Sequence, residues 1–252
     1  MTEPAQRRKR LRMARVDIVS SLPATLDALA VARGRPVLVV VGGAGKMSQE
    51  HLSRTAAVLS EQVVPVLDRL GVTVIDGGTD SGVMRVIGRA RSAAGASFPL
   101  IGVASEGTVR TDPAGVPARA EQIEPHHSHV ILVPGDSWGD ESPWLADVAD
   151  AVAGTGPSAT LVINGGEITY DDVAHSLERR RPVVALAGTG RTADAIAAAR
   201  DGNSRDPRAT QIAASPLTRI ADIADGAALA GMLESILGHS TGGPRPDTAA
   251  TN

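Results

Sequence analysis

The sequence contains no cysteine, and among its 252 residues there are only one Phe, one Tyr and two Trp. The absence of cysteine excludes disulfide bridges, thiolate zinc sites and a cysteine nucleophile. Because aromatic residues make up only 2% of the chain, the core must be built from Val, Ala, Leu and Ile. Small branched side chains of this kind suit parallel strands that are buried on both faces.

Two further absences limit the environment and the partners of the chain. No apolar run approaches the roughly 18 residues of a membrane-spanning helix, and no hydrophobic signal segment is present. We therefore expect a soluble, cytoplasmic protein without a membrane partner. The net charge of −3 argues against a nucleic-acid partner, because general nucleic-acid binders carry a strong positive field.

The two ends of the chain differ in composition from the part between them. We expect residues 1–14, which are rich in arginine, to form a disordered basic arm. Residues 239–252 are rich in Gly, Pro, Thr and Ala, and we expect them to form a disordered tail. Residues 15–238 are expected to form one domain, a size that a single α/β fold can fill.

Between the ends, short apolar segments alternate with helix-like segments. This alternation predicts an α/β fold of Rossmann-like type, with a single doubly wound, mostly parallel sheet and helices on both faces. The first strand is predicted at Arg15–Ser20, one of the later helices at Tyr170–Arg180 and the last helix at Gly226–Leu237. No element is predicted between Arg200 and the last helix.

Four predicted strands end at glycine-rich turns that lead into helices. The turns begin at Gly42, Asp76, Asn164 and Gly188. Glycine lets the backbone approach a ligand, and the start of the following helix presents free N–H groups and a positive dipole end. In a parallel sheet such turns meet at the carboxyl edge of the strands, where ligands bind. The pattern predicts a site for an anionic ligand, and a nucleotide is the first candidate.

The known phosphate-binding motifs fit these turns only in part. Around Lys46 a P-loop would need glycine at Val40 and a hydroxyl at Met47. At the same turn a dinucleotide motif would need Gly or Ala at Ser48. The segment Gly188–Ala193 does have the G-x-G-x-x-A pattern. It lacks a following strand that ends in a ribose-binding acid, because a loop is expected after the next helix.

Six motifs, taken in order, resemble a known family. They are Asp76–Met84, Ile101–Ala104, Pro125–Val133, Ile163–Gly166, Pro182–Val184 and Gly188–Asp194. Together they are similar to the SLOG domain in its prokaryotic LSDAT form ("SLOG in TRPM"), which is related to the cytoplasmic N-terminal region of TRPM channels. The resemblance extends from about Val37 to Arg200. It implies a Rossmann-like fold that binds nucleotides or nucleotide derivatives such as ADP-ribose.

The wider superfamily contains DprA single-strand DNA binders and LOG phosphoribohydrolases, which cleave the N-glycosidic bond of nucleoside monophosphates. The LOG loop P-G-G-x-G-T-x-x-E aligns with Asn164–Asp172. Asn164 replaces its proline, Ile168 its third glycine and Asp172 its glutamate. A β-branched residue does not readily take the positive φ that glycine allows, and aspartate reaches less far than glutamate. These changes favour a non-catalytic binding or sensor domain over an enzyme.

Three functions stay open: a nucleotide-derivative sensor, a LOG-type phosphoribohydrolase and an assembly domain with a vestigial pocket. Asp172 is a weak catalytic candidate, and its simpler interpretation is an acid that complements the dipole in the first turn of a helix. No cofactor is expected. Because SLOG-like and LOG-like domains commonly self-associate, we predict a homodimer or a higher homo-oligomer. A separately encoded effector would fit the same resemblance.

The predicted ligand-binding residues belong to the four glycine turns and to one further loop at the same edge. Lys46 and Arg191 would contribute charge, and Thr108 would reach a ribose or phosphate unless its loop is an ordinary turn. The full set is Gly43, Ala44, Gly45, Lys46, Gly77, Gly78, Thr79, Gly82, Val83, Met84, Glu106, Gly107, Thr108, Gly165, Gly166, Glu167, Thr169, Gly188, Gly190 and Arg191.

Two other features have competing interpretations. His127 and His129 share one face at the start of a strand, which makes them weak metal candidates. Most zinc sites need three or four ligands, and the resemblance implies a packing or ligand-facing role for this His-x-His. Trp138, in the loop after Val133, would either stack on a nucleobase or cover the core or an interface.

Overall fold

The computed structural model describes residues 11–43, 47–111 and 120–238. Within them the strands are β1 (Arg12–Arg15), β2 (Val37–Gly42), β3 (Thr73–Asp76), β4 (Leu100–Ser105), β5 (Val109–Arg110), β6 (Glu121–Gln122), β7 (His129–Val133), β8 (Ser158–Ile163), β9 (Val183–Ala187) and β10 (Thr218–Asp222). The helices are α1 (Leu22–Ala28), α2 (Gln49–Val58), α3 (Val64–Leu70), α4 (Gly82–Ala93), α5 (Ser142–Ala153), α6 (Glu167–Glu178), α7 (Arg191–Arg200), α8 (Pro207–Ala214) and α9 (Gly226–Leu237).

The main sheet has eight strands in the order β1-β7-β4-β3-β2-β8-β9-β10, and all neighbours in it are parallel. From β2 the chain moves outward through β3, β4 and β7, and then returns to β8 on the other side of β2. The order of strands therefore reverses between β2 and β8, which is the topological switch point of the sheet. The predicted doubly wound, parallel α/β fold is confirmed.

Both faces of the sheet are covered by helices. In β2, Val37, Val39 and Val41 belong to the hydrophobic cluster that includes α1, α5 and α6, whereas Leu38 and Val40 belong to the cluster that includes α3, α4 and α9. Successive side chains of a strand point to opposite faces, so a continuous apolar strand fills both clusters. Among the described residues, no helix combines the length and the hydrophobicity needed to cross a bilayer.

The first strand differs from its prediction. It covers Arg12–Arg15 rather than Arg15–Ser20, and it pairs in parallel with β7 at the edge of the sheet. The side chains of this strand are largely exposed, so no apolar run marks it in the sequence. The predicted arm boundary at residue 14 is therefore wrong for residues 12–14. Residues 1–10 of the predicted arm and the predicted tail, residues 239–252, lie outside the described residues.

Two other predictions are corrected in the C-terminal half. Helix α6 begins at Glu167, not at Tyr170, because the Gly166 N–H donates to Thr169 Oγ1 at 3.0 Å and closes the first turn. Helix α8 and strand β10 occupy a stretch for which no element was predicted. Asp206 caps α8 by accepting the Arg208 N–H at 2.9 Å, and a proline follows it, so a start signal was present in the sequence.

Candidate functional site

A cleft of about 550 Å³ opens at the carboxyl edge of the sheet, across the switch point between β2 and β8. This volume lies within the range of small-molecule sites. Residues from the turns after β2, β3, β8 and β9 line it. The predicted residues among them are Gly43, Gly77, Thr79, Met84, Gly166, Glu167, Thr169 and Arg191, together with Asp172. The lining also contains Trp138, for which base stacking was one of two open interpretations. The lining residues outside every prediction of ligand binding are Val40, Val41, Gly42, Ser81, Glu121, Glu141, Leu145 and Ile168.

The floor of the cleft is formed where β2 and β8 end side by side. The Gly43 N–H donates to the Ile163 carbonyl at 3.3 Å. A Cβ atom on Gly42 would lie 1.9 Å from that same carbonyl oxygen. Any side chain at Gly42 would therefore separate the two strands, and glycine here serves strand pairing.

The starts of α6 and α7 form one wall of the cleft. Thr192 Oγ1 donates to the Gly166 carbonyl at 3.1 Å and ties the two helix starts together. The amides of Glu167 and Ile168 belong to the first turn of α6 and by position have no acceptor within the helix. Arg191 Nη2 lies 2.9 Å from the point where a Cβ on Gly166 would be. A cation this close to a helix start is unfavourable unless an anion accompanies it, so the wall favours a bound anion.

The backbone of this wall is strained. Asn164 and Arg191 have φ values of 59° and 52°, in the left-handed region that non-glycine residues avoid. Asn164 is fixed there because its backbone N–H and its Nδ2 donate to Thr189 Oγ1 and the Thr189 carbonyl at 2.8 and 2.6 Å. Its Oδ1 is buried without a hydrogen-bond partner. Strain of this kind is retained where the surrounding structure fixes it, commonly at ligand sites.

The turn after β3 differs from the wall formed by α6 and α7, because its backbone N–H groups have acceptors within the protein. The Gly78 N–H donates to Asp76 Oδ1 at 2.7 Å, and the Asp80 N–H donates to the Gln122 carbonyl at 2.7 Å. The Val83 N–H donates to the Gly43 carbonyl at 3.2 Å. These groups are therefore engaged within the fold and are not available to an anionic ligand.

Gly77 and Gly78 also differ in what surrounds them. A Cβ on Gly78, whose φ is +70°, would lie 2.9 Å from Gly102 Cα in the neighbouring strand. A Cβ on Gly77 would meet only Met84 Cε, at 4.0 Å. Gly77 thus lines the cleft, whereas Gly78 is required for packing.

Beneath this turn lies a buried ionic cluster. His127 Nε2 is 2.8 Å from Asp76 Oδ1, and His127 Nδ1 is 2.9 Å from Glu124 Oε2. Burial by itself lowers the pKa of His127, but the charges and hydrogen bonds of Asp76 and Glu124 outweigh it and raise the pKa to about 9. Burial likewise raises the pKa of Glu124, and its hydrogen bonds to His127 and His126 reverse that and lower it. His127 is therefore a charged bridge between two carboxylates.

The contacts of the two histidines bear on the interpretations of the His-x-His pair. Both ring nitrogens of His127 face carboxylates, and His129 Nδ1 lies 2.8 Å from Ser128 Oγ. Across the described ranges, no three His, Asp or Glu side chains are placed to hold a metal ion together. The packing role is the one that the contacts of His127 support.

Asp172 lies in the cleft and not in the first turn of its helix. It is the sixth residue of α6, and Ser142 Oγ donates to its Oδ1 at 2.6 Å. Burial raises the pKa of Asp172 to about 7, the Ser142 hydrogen bond opposes the shift, and the charges of Glu141 and Asp171 add to it. The dipole interpretation of Asp172 is therefore wrong. A half-ionised carboxyl group in a cleft is typical of acid–base sites.

Ile168 was expected to restrict the loop, because it stands where the LOG loop has a glycine. The structure does not bear this out. It is the second residue of α6 and has helical backbone, while the positive φ values of this loop belong to Asn164 and Gly165. A β-branched residue is therefore no obstacle to the path of the loop.

Several predicted residues lie at the same edge but outside the cleft lining. Glu106 pairs with Arg15 at 3.1 Å, the Gly107 N–H donates to the Gly135 carbonyl at 2.9 Å, and Thr108 Oγ1 donates to the Ser105 carbonyl at 2.8 Å. That loop is an ordinary turn. The predicted residues outside the lining are Gly78, Gly82, Val83, Glu106, Gly107, Thr108, Gly165, Gly188 and Gly190. Ala44, Gly45 and Lys46 lie outside the described residues.

The turn after β9 corrects one further expectation. Strand β10 follows it and does end in an acid, Asp222. Asp222 Oδ1 accepts the Ala224 N–H at 2.8 Å, and a Cβ on Gly188 would lie 2.7 Å from Ile223 Cγ2. The expectation that no such strand follows was therefore wrong, but the contacts of Gly188 and Asp222 show that both serve local packing.

The missed lining residues had only a weak signal in the sequence. Glu141 and Leu145 belong to the acidic, tryptophan-containing segment after β7, which the sequence marks as unusual. Ser105 Oγ and the Gly139 N–H donate to Glu141 Oε2 at 3.1 and 3.0 Å, which fixes this carboxylate at the edge of the cleft.

Known proteins resemble this chain in sequence and in fold. Transient receptor potential cation channel subfamily M member 2 of Rattus norvegicus is 25% identical over 220 residues, which cover 73% of this chain and 14% of the channel. The chain thus spans a small part of that relative's length. Two solved structures are similar in fold, each at 99% coverage of its own chain. The structural-genomics target TM1055 has a TM-score of 0.50 at 22% identity over 78% of this chain. The molybdenum cofactor carrier protein of Chlamydomonas reinhardtii has a TM-score of 0.51 at 20% identity over 80% of this chain.

The family assignment follows from a family model that covers most of the chain. The model of the prokaryotic "SLOG in TRPM" family matches residues 35–230. The match begins near the predicted start at Val37 and continues past Arg200 through β10 and into the first turn of α9. The chain belongs to the prokaryotic LSDAT family, "SLOG in TRPM".

Proposed function

We propose that the chain binds a phosphorylated nucleotide derivative in the cleft between β2 and β8, with its anionic end against Gly166 and Arg191. The observation that carries the proposal is the first turn of α6. Its amides at Glu167 and Ile168 lack helical acceptors, and the Arg191 guanidinium lies over its Gly166 cap. Helix starts of this kind bind phosphate, and an arginine adds a charge-assisted contact.

The charges around the cleft favour a ligand whose negative charge is concentrated at one end. Besides Arg191, the lining contains four carboxylates, from Glu121, Glu141, Glu167 and Asp172. Glu167 is paired with Arg208 at 2.6 Å, but the others would repel phosphates placed deeper in the cleft. A nucleoside monophosphate fits this distribution better than a polyphosphate.

Binding without turnover would make the chain a sensor, whose occupied state is read by a second copy or by a separately encoded effector. The replacement of the LOG proline by Asn164 and of its glutamate by Asp172 supports this role. The homo-oligomer stays a prediction, and light scattering at micromolar concentration tests it.

Calorimetric titration with AMP, ADP-ribose and adenosine tests the binding proposal. AMP should bind more tightly than adenosine, and Arg191→Gln should weaken AMP binding by about 1.5–3 kcal/mol while leaving adenosine unchanged. The control is Arg89→Gln, an exposed arginine on α4 outside the cleft. Equal affinities for AMP and adenosine, or an Arg191→Gln variant with wild-type AMP affinity, would show the phosphate site to be wrong.

A second candidate function, hydrolysis of an N-glycosidic bond, is favoured by one observation. Asp172 is buried in the cleft lining with a pKa of about 7, so near neutral pH it exists in both protonation states. Such a group can donate a proton to a leaving base or accept one from an attacking water.

Release of free adenine from AMP, followed by chromatography between pH 5 and pH 9, tests this candidate. Activity should be lost in Asp172→Asn and kept in Asp171→Asn, whose carboxylate is exposed on the same helix. If the wild-type protein releases no base, the second candidate fails and the binding proposal is unaffected.

A further inference from the structure

Trp138 is a large aromatic side chain that the fold leaves in solvent. It is 44% exposed, and the other large hydrophobic side chains exposed in the described residues, Met13, Ile18 and Val19, do not line the cleft. Trp144, the second tryptophan of the chain, packs against the hydrophobic cluster under α5. Covering the core is therefore the role of Trp144 and not of Trp138.

The loop that carries Trp138 is held in one shape by its own hydrogen bonds. Asp140 Oδ2 accepts the N–H groups of Asp136 and Ser137, each at 3.0 Å. The Gly139 N–H donates to Glu141 Oε2 at 3.0 Å, and Glu141 is fixed in turn by Ser105. An aromatic side chain on a fixed loop has little backbone entropy to lose when a ligand binds.

The position of the loop relates Trp138 to the anion site. A Cβ on Gly139 would lie 3.4 Å from Ile168 Cγ1, so the loop packs against the first turn of α6. Arg191 contacts the same turn at Gly166. The first turn of α6 therefore lies next to Arg191 at Gly166 and next to the Trp138 loop at Ile168. Trp138 lines the same cleft together with the apolar side chains of Leu145 and Ile168.

We propose that Trp138 is the base-stacking residue of the cleft and that the ligand carries a planar heteroaromatic group beside it, at the end away from its phosphate. This inference rests on the proposed function. An indole can stack on any nucleobase because each base has a π face, so Trp138 provides affinity for an aromatic ligand without selecting one base. Hydrogen-bonding groups of the cleft would then choose among bases.

Calorimetry with AMP and with ribose 5-phosphate, which has the same anionic end and no base, tests the proposal. The full chain is compared with Trp138→Ala and Trp138→Phe, both of which change an exposed side chain. Trp138→Ala should weaken AMP binding at least about fivefold, leave ribose 5-phosphate binding unchanged, and be largely rescued in Trp138→Phe. A loss that is equal for both ligands, or absent for both, overturns the inference and leaves the proposed function standing.

Tryptophan fluorescence and the oligomeric state of the variants distinguish base stacking from a role of Trp138 at an interface. Tryptophan fluorescence should be quenched by AMP but not by ribose 5-phosphate, and the AMP quench should disappear in Trp138→Phe, which retains Trp144. If Trp138→Ala instead changes a dimer into a monomer and leaves AMP affinity intact, the side chain covers an interface and the inference is wrong. If the wild-type protein binds neither ligand, the proposed function and this inference both fail.

Discussion

The turn after β3 and the turn after β8 are both glycine-rich and both face the switch point, yet their backbones are used differently. In the closed turn, Asp76–Ser81, the Gly78 and Asp80 amides already have acceptors within the protein. In the open turn, Asn164–Thr169, the first amides of α6 have no helical acceptor and lie beside a cation. The closed turn shapes the cleft, and the open turn is the part that we propose binds an anion.

The difference shows that a glycine motif can serve two physical needs. In the closed turn, Gly78 is needed because Gly102 of the neighbouring strand is too close for a side chain. In the open turn, a Cβ on Gly166 would lie 2.9 Å from Arg191 Nη2, so glycine lets the guanidinium approach the start of α6. The two cases differ in whether the backbone N–H groups of the turn donate to acceptors within the protein. Some of those acceptors, such as the Gln122 carbonyl, belong to residues far away in the sequence.

The largest effect on the free energy of unfolding is expected at His127, which contacts Asp76 at the start of the closed turn. His127→Gln removes the charged bridge between Asp76 and Glu124 and leaves two buried carboxylates without their partner. Breaking a buried ion pair from one side costs about 3–5 kcal/mol, and urea unfolding at pH 6 measures it. The control is His175→Gln on the surface of α6, which should change the free energy of unfolding by less than about 0.5 kcal/mol.

The same bridge has a defined pH dependence. The pKa of His127 is about 9 in the folded protein, above the value of 6.5 that an unperturbed histidine has. Its stabilising contribution is therefore fully present below pH 6.5 and is lost as the pH rises through about 9. The difference in stability between wild type and His127→Gln should shrink over this range. A difference that stays constant from pH 6 to pH 10 would mean that His127 is neutral in the folded state.

The next effect separates the two glycines of the closed turn. Gly78→Ala should destabilise the protein by about 3 kcal/mol, because it combines a positive φ with a close approach to Gly102. Gly77→Ala should be nearly neutral for stability, since its Cβ would meet only Met84 at 4.0 Å. Thermal unfolding measures both. Similar losses in the two variants would contradict the assignment of Gly78 to packing and Gly77 to the cleft.

The comparison of turns also explains what the sequence could and could not predict. Alternating apolar and helical segments predicted the parallel fold, because buried parallel strands are continuous apolar runs such as Val37–Val41. The edge strand Arg12–Arg15 was missed because its exposed side chains leave no such run. For the site, the sequence predicted which turns meet at the sheet edge. It could not predict that Gln122 and Gly102 would occupy one of them.

A smaller effect is expected at Asp172, on the cleft side of the open turn. Burial holds its pKa at about 7, above the ordinary 3.8, so the ionised form is disfavoured in the folded protein. An acid with a raised pKa lowers stability as the pH rises from about 4 to about 7, and the penalty is fully present above pH 7. Asp172→Asn keeps an acceptor for Ser142 and should be more stable than wild type at pH 8, by on the order of 1–3 kcal/mol.

The pH dependence provides the check on this assignment. Near pH 4 the wild-type carboxyl group is protonated, so the advantage of Asp172→Asn should largely disappear in urea unfolding. Asp171→Asn, on the exposed face of the same helix, should show a much smaller trend, because the charge of Asp171 is the smallest of the causes that raise the pKa of Asp172. An advantage of equal size at pH 4 and pH 8 would exclude ionisation as its cause.

The smallest effect is expected at Arg191. It tests whether the left-handed backbone of this residue is strained and whether its guanidinium binds the ligand. Arg191 has a φ of 52°, which costs a non-glycine residue about 1–2 kcal/mol and costs glycine almost nothing. Arg191→Gly should therefore be more stable than Arg191→Ala by about 1 kcal/mol in urea unfolding without ligand. Both variants lack the guanidinium, so both should lose AMP affinity to the same extent in calorimetry. If Arg191→Ala is at least as stable as Arg191→Gly, the backbone of the open turn is not strained at this residue. If both bind AMP like wild type, Arg191 holds the left-handed conformation without serving the ligand.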